Sequence, residues 1–401
     1  MEQGAAPRPL ETRVTRLLLA NGFANAGGVI AFLPLLSLLL PVKIEAMAGD
    51  ARLDVLTAAV IVGAIAASGS NILFGWLSDV ALARGHGRRT WLGAGLAATA
   101  LSYAGVAAAT TPAAIVAAIA CFQVAVNALL APMFAIMADE IPDAHKRTAG
   151  GLLAIGHPLG AAMSTVLVGL SVAEEGRLAV IAGVVALFVV PLLFVRGAMA
   201  EPAPESSAQR QLLRGDLVIA WTSRLLVQAA SAMLSYYLVY YFESIAPGTA
   251  PHVVAQRVGT ILTISLFIPL PIAILLGRWS DRARRGKPFL LGSALVAAAG
   301  LVAMALARDW VGGAAAFALY SIGAQVFLSI QIGFAMQLLP DARHRGRDLG
   351  LMNLTNTLPQ FLGPGMAWLL ATPHDFDGAL LALAGFTGVG AVMILAVRGR
   401  R

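Results

Sequence analysis

Gly75-Trp-Leu-Ser-Asp79, with Arg84, Arg88 and Arg89 close behind, ends one long apolar stretch of this chain. Gly277-Arg-Trp-Ser-Asp281, with Arg282, Arg284, Arg285 and Lys287 close behind, ends another. A second punctuation follows each of them in the same order, since Ile141-Pro-Asp-Ala-His-Lys-Arg147 is echoed by Leu339-Pro-Asp-Ala-Arg-His-Arg345. Two marks repeated in step mean an internal duplication, so the chain is built from two related halves. Each half carries its glycine and acid at the end of its second apolar stretch. With six stretches in each half, the repeat keeps its orientation.

The material between these marks belongs in lipid. Of 401 residues, 58% are hydrophobic and only 12% are charged, and the mean hydropathy is +0.79. A water-soluble globule cannot cover that much apolar surface with so few charges. About 20 apolar residues in a helix cross roughly 30 Å of hydrocarbon. Stretches of that kind fall at 15–41, 51–78, 90–110, 112–138, 148–171, 177–196, 214–243, 254–279, 288–307, 310–339, 347–371 and 378–397. The expected fold is therefore an all-α polytopic membrane protein of 12 transmembrane helices, arranged as two pseudo-symmetric six-helix bundles. Its parts are a tail at 1–14, a bundle at 15–196, a linker at 197–213, a bundle at 214–397 and a tail at 398–401. The linker is the longest polar stretch and holds Pro202, Pro204, Ser206, Ser207 and Gln209.

Charge gives the orientation. The chain has 28 Lys and Arg against 21 Asp and Glu, a formal charge of +7. The tails and even-numbered connections carry 22 of these cations, the odd-numbered connections hold only Lys43, Arg52, Arg177, Arg257 and Arg308, and Arg224 lies inside a span. Cations gather on the cytoplasmic side, so both termini are expected there, in a bacterial inner membrane. The same distribution argues against a nucleic-acid partner, because the charges sit in short connections and not on one basic face. The polar start, Met1 to Arg16 with Pro7 and Pro9, lacks the apolar core of a secretory leader and reads as a cytoplasmic tail. Cys121, the sole cysteine, lies in an apolar span and leaves no partner for an intrachain disulfide. No phosphate-binding loop, dinucleotide fingerprint or His-Glu-x-x-His is present, so neither a metal nor a cofactor is expected.

Polar side chains within the spans are the informative exceptions, because hydrocarbon tolerates them only when they face protein or a wet cavity. Asn21 and Asn25 in the first span lie four residues apart and share a face, as do Gln123 and Asn127 in the fourth. In the seventh, Gln228, Ser231 and Ser235 fall within roughly 40° of Arg224 around the helix, a stripe about three turns long. The tenth span offers Ser321, Gln325 and Ser329 on one face and Gln331 on another, the eleventh Asn353, Asn356 and Gln360, and the fifth His157. Spans 3, 6, 9 and 12 have no amide, histidine or charge in their interiors and read as lipid-facing. A period of three follows, with spans 1, 4, 7 and 10 expected to line a solute pathway.

Bland explanations compete with functional ones throughout. Amides in lipid commonly make helix-to-helix hydrogen bonds, Tyr236, Tyr237, Tyr240 and Tyr241 fit an interfacial aromatic belt, and Asp79 and Asp281 would also serve as topology-setting charge. Ala66-Ala-Ser-Gly69 is better explained by close helix packing than by an intramembrane nucleophile, since no base accompanies it. No enzyme activity is expected.

The doubled Gly-x-x-x-Asp segment with trailing cations resembles the signature of the major facilitator superfamily. Arg345-Gly-Arg-Asp-Leu-Gly350, followed by Asn353, Asn356 and Thr357-Leu-Pro359, is similar to the glycoside–pentoside–hexuronide symporters and their sucrose-transporter-like relatives. Gly277-Arg-Trp-Ser-Asp281 with Gly286-Lys-Pro288 points to the same branch. The second span departs from that branch: its interior has no cation-coupling carboxylate, and Asp54 lies at its outer end.

The resemblance implies a secondary active transporter that moves a small polar organic solute, sugar or glycoside-like, by alternating access with proton coupling. The alternatives are an efflux antiporter for drugs or metabolites, towards which Gly156-His-Pro-Leu-Gly160 leans, or an organic-acid transporter. Solute contacts are expected from Asn21, Asn25, Gln123, Asn127, Arg224, Gln228, Gln325, Asn353 and Asn356. His157 and Arg224 are candidates for proton coupling, while Asp79, Arg88, Arg89, Asp281 and Arg285 are expected to gate. The expected partners are the solute and membrane lipid, with the protein acting as a monomer.

Overall fold

The computed structural model describes residues 9–48, 51–197, 207–246, 248–370 and 376–398. Within those ranges a few side chains, among them Tyr236 and all of 360–370, lie outside the description. Gln360 and most of the expected 197–213 linker therefore fall outside the described residues. About 90% of the described residues are helical, and no strand occurs among them.

The first span is α1 (Pro9–Pro34), a π-helical stretch at Leu35–Leu39, and α2 (Leu40–Ala48). Pro34 removes an N–H from the ladder, and a π turn absorbs the misfit directly after it. The helix begins at Pro9, inside the expected 1–14 tail. Next come α3 (Arg52–Ala83), α4 (Arg88–Ala108) and α5 (Pro112–Glu140). Thr111 starts α5 by accepting the Ala114 N–H at 3.2 Å, with Pro112 at the first helical position.

The fifth span is two helices, α6 (Lys146–Leu153) and α7 (Gly156–Gly169), parted where Pro158 cannot bond back to Ala154. After α8 (Glu174–Phe194) comes α9 (Ser207–Ile245), which starts within the expected linker. The eighth span is also broken, into α10 (Pro251–Phe267) and α11 (Pro269–Ala283), at Ile268 before Pro269 and Pro271. The remainder is α12 (Lys287–Leu306), α13 (Trp310–Gln337), α14 (Arg345–Leu370) and α15 (Asp377–Met393). Asp309 caps α13 by accepting the Gly312 N–H at 2.8 Å. Among the described residues, eleven spans are long and apolar enough to cross a membrane, and α14 corresponds to the remaining stretch at 347–371.

The chain divides into two compact units that do not coincide with its sequence halves. One contains Met1–Asp143, Ile155–Ala203 and Asp341–Leu351; the other contains Ala144–Ala154, Pro204–Pro340 and Met352–Arg401. In the first, α1 packs on α7 and α8, and α5 on α3 and α4. In the second, α12 packs on α13 and α15, α15 on α9, and α6 on α11 and α13.

Close crossings depend on glycine. A Cβ on Gly95 would meet the Ala128 carbonyl oxygen at 2.6 Å, and one on Gly323 the Ser293 carbonyl oxygen at 2.6 Å. The helices without interior amides, histidines or charges present bare apolar side chains outward: Leu101 on α4, Leu187 and Phe194 on α8, Leu306 on α12, and Val389 and Val392 on α15 are exposed. Such a surface is stable against lipid and not against water.

Candidate functional site

In the first unit the site begins with an acid at the end of α3. Asp79 Oδ1 accepts from Arg88 Nη2 at 2.7 Å and from the Gly346 N–H at 2.9 Å, while Oδ2 accepts the Arg347 N–H at 2.9 Å. Those two N–H groups belong to the first turn of α14, where a helix has donors without intrahelical partners and the positive end of its dipole. Arg88 also donates to Ser78 at 2.7 Å and to Asp139 at 2.6 Å, and Arg345 donates to Asp139 at 3.0 Å. Asp79, Arg88 and Asp139 are all buried, so two acids and two guanidinium groups neutralise one another out of water. The backbones must approach very closely for this, and a Cβ on Gly75 would land on the Gly346 carbonyl oxygen.

The second unit repeats the arrangement with fewer charges. Asp281, at the end of α11, accepts the Thr148 N–H and the Thr148 hydroxyl, each at 2.7 Å, and the Arg147 N–H at 3.4 Å. Here the capped helix is α6. Arg147 Nη1 lies 3.5 Å from Asp281 Oδ1 and donates to the Ser280 carbonyl at 2.8 Å, and Nη2 donates to Gln337 at 2.9 Å. Gln337 holds the repeat position that Asp139 holds in the first unit, so an amide stands in for the second carboxylate.

Two expected gating residues do other work. Arg285 is exposed and meets Ser280 only through its backbone, so Asp281 is held by Arg147 and Thr148 instead. Arg89 pairs with Glu140 and donates to the carbonyls of Leu192 and Val195, which secures the end of α8. In both cases the expectation took a cation that trails the acid in sequence, whereas the helix starts supply closer donors.

The polar stripe of α9 leads to a second cluster, also in the second unit. Arg224 is buried and donates from Nε to Thr355 Oγ1 at 3.1 Å, from Nη1 to the Leu328 carbonyl and Gln331 Oε1, both at 3.0 Å, and from Nη2 to Asn356 Oδ1 at 3.2 Å. Every one of these acceptors is neutral. Asn356 Nδ2 donates onward to Asn353 Oδ1 at 2.8 Å, and Gln331 Nε2 to the Ala220 carbonyl at 3.0 Å. Gln228, one turn along α9, is half-buried, hydrogen-bonds to no described residue, and has its Oε1 buried. Ser231 continues the stripe and shares a hydrogen bond of 2.8 Å with Tyr320.

The other expected contacts are dispersed. Asn127 accepts from Asn71 at 2.7 Å in a buried amide pair between α5 and α3, and donates to the Gln123 carbonyl at 2.8 Å. The expectation of a free solute contact there gives way to a helix-to-helix bond, because Asn71 supplies the donor that Asn127 needs. Asn21 is buried and donates to the Leu17 carbonyl at 2.9 Å, leaving its own Oδ1 without a partner. Asn25 is buried against α7, where a Cβ on Gly156 would come within 2.8 Å of its amide nitrogen. Gln123 is half-buried, while Gln325 and His157 are exposed with no hydrogen bond to a described residue. Sequence reasoning missed Gln331, Thr355, Arg147, Thr148, Gly346 and Arg347. The paired Arg147 and Arg345 in the duplicated punctuation were the available signal for the helix starts.

Apolar spans, paired capping acids and a buried polar cluster in α9, α13 and α14 define a polytopic membrane transporter and not an enzyme. A family model for the Major Facilitator Superfamily matches residues 17–247 and 225–401, and the chain belongs to that superfamily. Among curated proteins, no sequence matches it significantly. The proton:xylose symporter XylE is similar in structure at a TM-score of 0.72 and 14% identity, covering 96% of each chain. The E. coli fucose:proton symporter FucP is similar at 0.68 and 15%, over 98% of this chain and 100% of its own. The human organic anion transporter MFSD10 is similar at 0.67 and 14%, over 97% of this chain and 100% of its own. At such identities the likeness establishes the fold alone.

Proposed function

We propose that this chain is a secondary active transporter that moves a small polar organic solute of sugar or glycoside size across the bacterial inner membrane. It works as a monomer with both termini in the cytoplasm and draws on a proton gradient. The observation that carries the solute assignment is the half-buried Gln228 beside the Arg224 cluster, an amide left without a hydrogen-bond partner on the stripe that α9 presents. Burying such a group unpaired costs about 1–3 kcal/mol, a cost that a bound polar solute removes. The sugar reading also draws on the likeness in fold to XylE and FucP, which are proton symporters of xylose and fucose. An organic acid is the second reading, favoured by a buried guanidinium whose partners are all neutral.

The docking of α14 onto Asp79 and of α6 onto Asp281 is proposed to make and break during the cycle. His157 is proposed to take and release the coupling proton, since its exposed ring has no hydrogen bond to a described residue. The test is uptake into proteoliposomes under an imposed pH gradient, with and without a protonophore. Accumulation that collapses with the gradient is the expected result, and its sign gives import or export. Flux indifferent to the gradient would remove the coupling claim.

A further inference from the structure

Arg224 imposes a direction on everything bonded to it. A guanidinium has five N–H donors and no acceptor, so each neighbour must turn an oxygen towards it. Asn356 does so with Oδ1, which leaves its Nδ2 facing Asn353; Asn353 must then answer with Oδ1, at 2.8 Å. The NH2 group of Asn353 is left at the end of this chain as a pair of donors, half-buried and with no hydrogen bond to a described residue. Gln331 and Thr355 follow the same rule, each accepting from Arg224 and passing its own proton to a backbone carbonyl, of Ala220 at 3.0 Å and Met352 at 2.7 Å.

Four of the five Arg224 N–H groups are used in this way, and the second N–H of Nη2 is not. Gln228 stands four residues from Arg224 on the same helical face, with its Oε1 turned in and its NH2 end outward. Around Arg224 the unpaired acceptor, Gln228 Oε1, is buried, and the unused capacity outside it is donors: one guanidinium N–H, the Gln228 amide NH2 and the Asn353 amide NH2. The charge is unused as well, since no described carboxylate reaches the guanidinium.

We propose that this cluster is an anion-binding subsite, and that the solute carried by the protein bears a carboxylate or similar acceptor-only anionic group seated on Arg224, Gln228 and Asn353. The proposal deepens the transport reading and rests on it. A neutral polyol fits the cluster less well, because its hydroxyl protons need acceptors and the cluster's oxygens are either occupied or, in Gln228 Oε1, buried. A carboxylate supplies acceptors on two oxygens and the missing negative charge. The guanidinium also explains why the site is not merely polar: taking one buried charge out of water without a counter-charge costs several kcal/mol, and the bound anion offsets it.

The experiment compares acid and neutral twins on the full-length purified protein: D-glucuronate with D-glucose, D-gluconate with D-sorbitol, and benzoate with benzamide. Thermal unfolding and calorimetry read binding, and proteoliposomes read flux. At least one acid binds, and its twin binds tenfold or more weakly, the loss expected for about 1.4 kcal/mol or more from charge-assisted bonds. Arg224→Gln removes the preference. Asn353→Asp is the sharper variant, because its oxygen still accepts from Asn356 and the fold keeps its bonds. The new carboxylate occupies the place of the ligand's, so that variant unfolds no earlier than the parent and loses acid binding at least tenfold. A neutral twin bound as tightly as its acid, no acid bound at all, or undiminished acid binding by Asn353→Asp overturns the anion subsite. Acid binding without flux of any probe would instead overturn the transport reading and leave the subsite standing.

Discussion

Gly346 donates its backbone N–H to Asp79 Oδ1 at 2.9 Å, a contact that joins positions 267 apart in sequence. The carboxylate and the Arg347 N–H complete a cap on α14, and Arg88 and Asp139 balance its charge. Asp281 has the same role for α6, with a single guanidinium at 3.5 Å. The difference in charge between the two caps can be measured.

Asp79→Asn leaves one acceptor oxygen in place of two and strands Arg88 beside Asp139 alone. A loss of about 1.5–3 kcal/mol of stability is expected, the value of hydrogen bonds to a charged group, together with loss of transport. Asp281→Asn is expected to cost less, because Thr148 can still donate to an amide oxygen and the ionic contact is longer. Thermal unfolding of both variants, at matched detergent and salt, checks the order.

Gly346→Ala reverses a familiar sign. Replacing glycine by alanine inside a helix ordinarily stabilises by about 0.5–1 kcal/mol. Here the new methyl would press on the carbonyl of Gly75, so unfolding is expected earlier and transport is expected to fall. Gly93→Ala and Gly183→Ala, whose added carbons meet nothing within 4 Å, serve as controls and should show the ordinary gain. Equal behaviour of all three would remove the close approach of Gly75 and Gly346.

Asn71 and Asn127 bond to each other, so single substitutions strand one amide and the double substitution strands none. Asn71→Leu and Asn127→Leu are each expected to destabilise by about 1 kcal/mol, and the double variant by less than the sum. Such interhelical bonds average about 0.6 kcal/mol in membranes. Transport by the double variant near the parent level would identify the pair as structural; lost transport at unchanged stability would return Asn127 to the solute.

Arg285→Gln is expected to change stability by no more than about 0.5 kcal/mol, as surface substitutions do. Arg147→Gln should cost several times more, because it removes bonds to Ser280, Asp281 and Gln337 together. Chemical denaturation of the two variants separates them.

Much of this architecture was legible in the residues. Span positions followed from hydropathy, because lipid enforces helices of nearly fixed length, and the doubled Gly75–Asp79 and Gly277–Asp281 segments located both capping acids. The interruptions at Pro34, Pro158 and Pro269 were not among the expectations, which took each of those spans as one unbroken helix, although proline was the signal for them. Partner choice was less legible. Arg89 and Arg285 trailed their acids along the chain as Arg88 did, yet beside Arg88 the donors came from Gly346, Arg347, Arg147 and Thr148, since the close approach of Gly75 to Gly346 and Gly277 to Arg147 is a tertiary fact. Gln331 stood off the face shared by Ser321, Gln325 and Ser329, but it is the side chain that meets Arg224, while Gln325 is exposed. Periodicity tells which residues share a face of α13 and leaves open which face turns to α9.

The long reach of the Asp79 cap sets an order of events on the ribosome. Asp281 finds Arg147 and Thr148 already synthesised, whereas Asp79 must wait for Gly346 and Arg347, 267 and 268 positions later. At translation rates of about 5–20 residues per second, that wait lasts roughly 10–50 seconds. During it, Arg88 is the acid's partner in the nascent chain, so loss of Arg88 should expose the young protein to quality control before the finished one shows any defect.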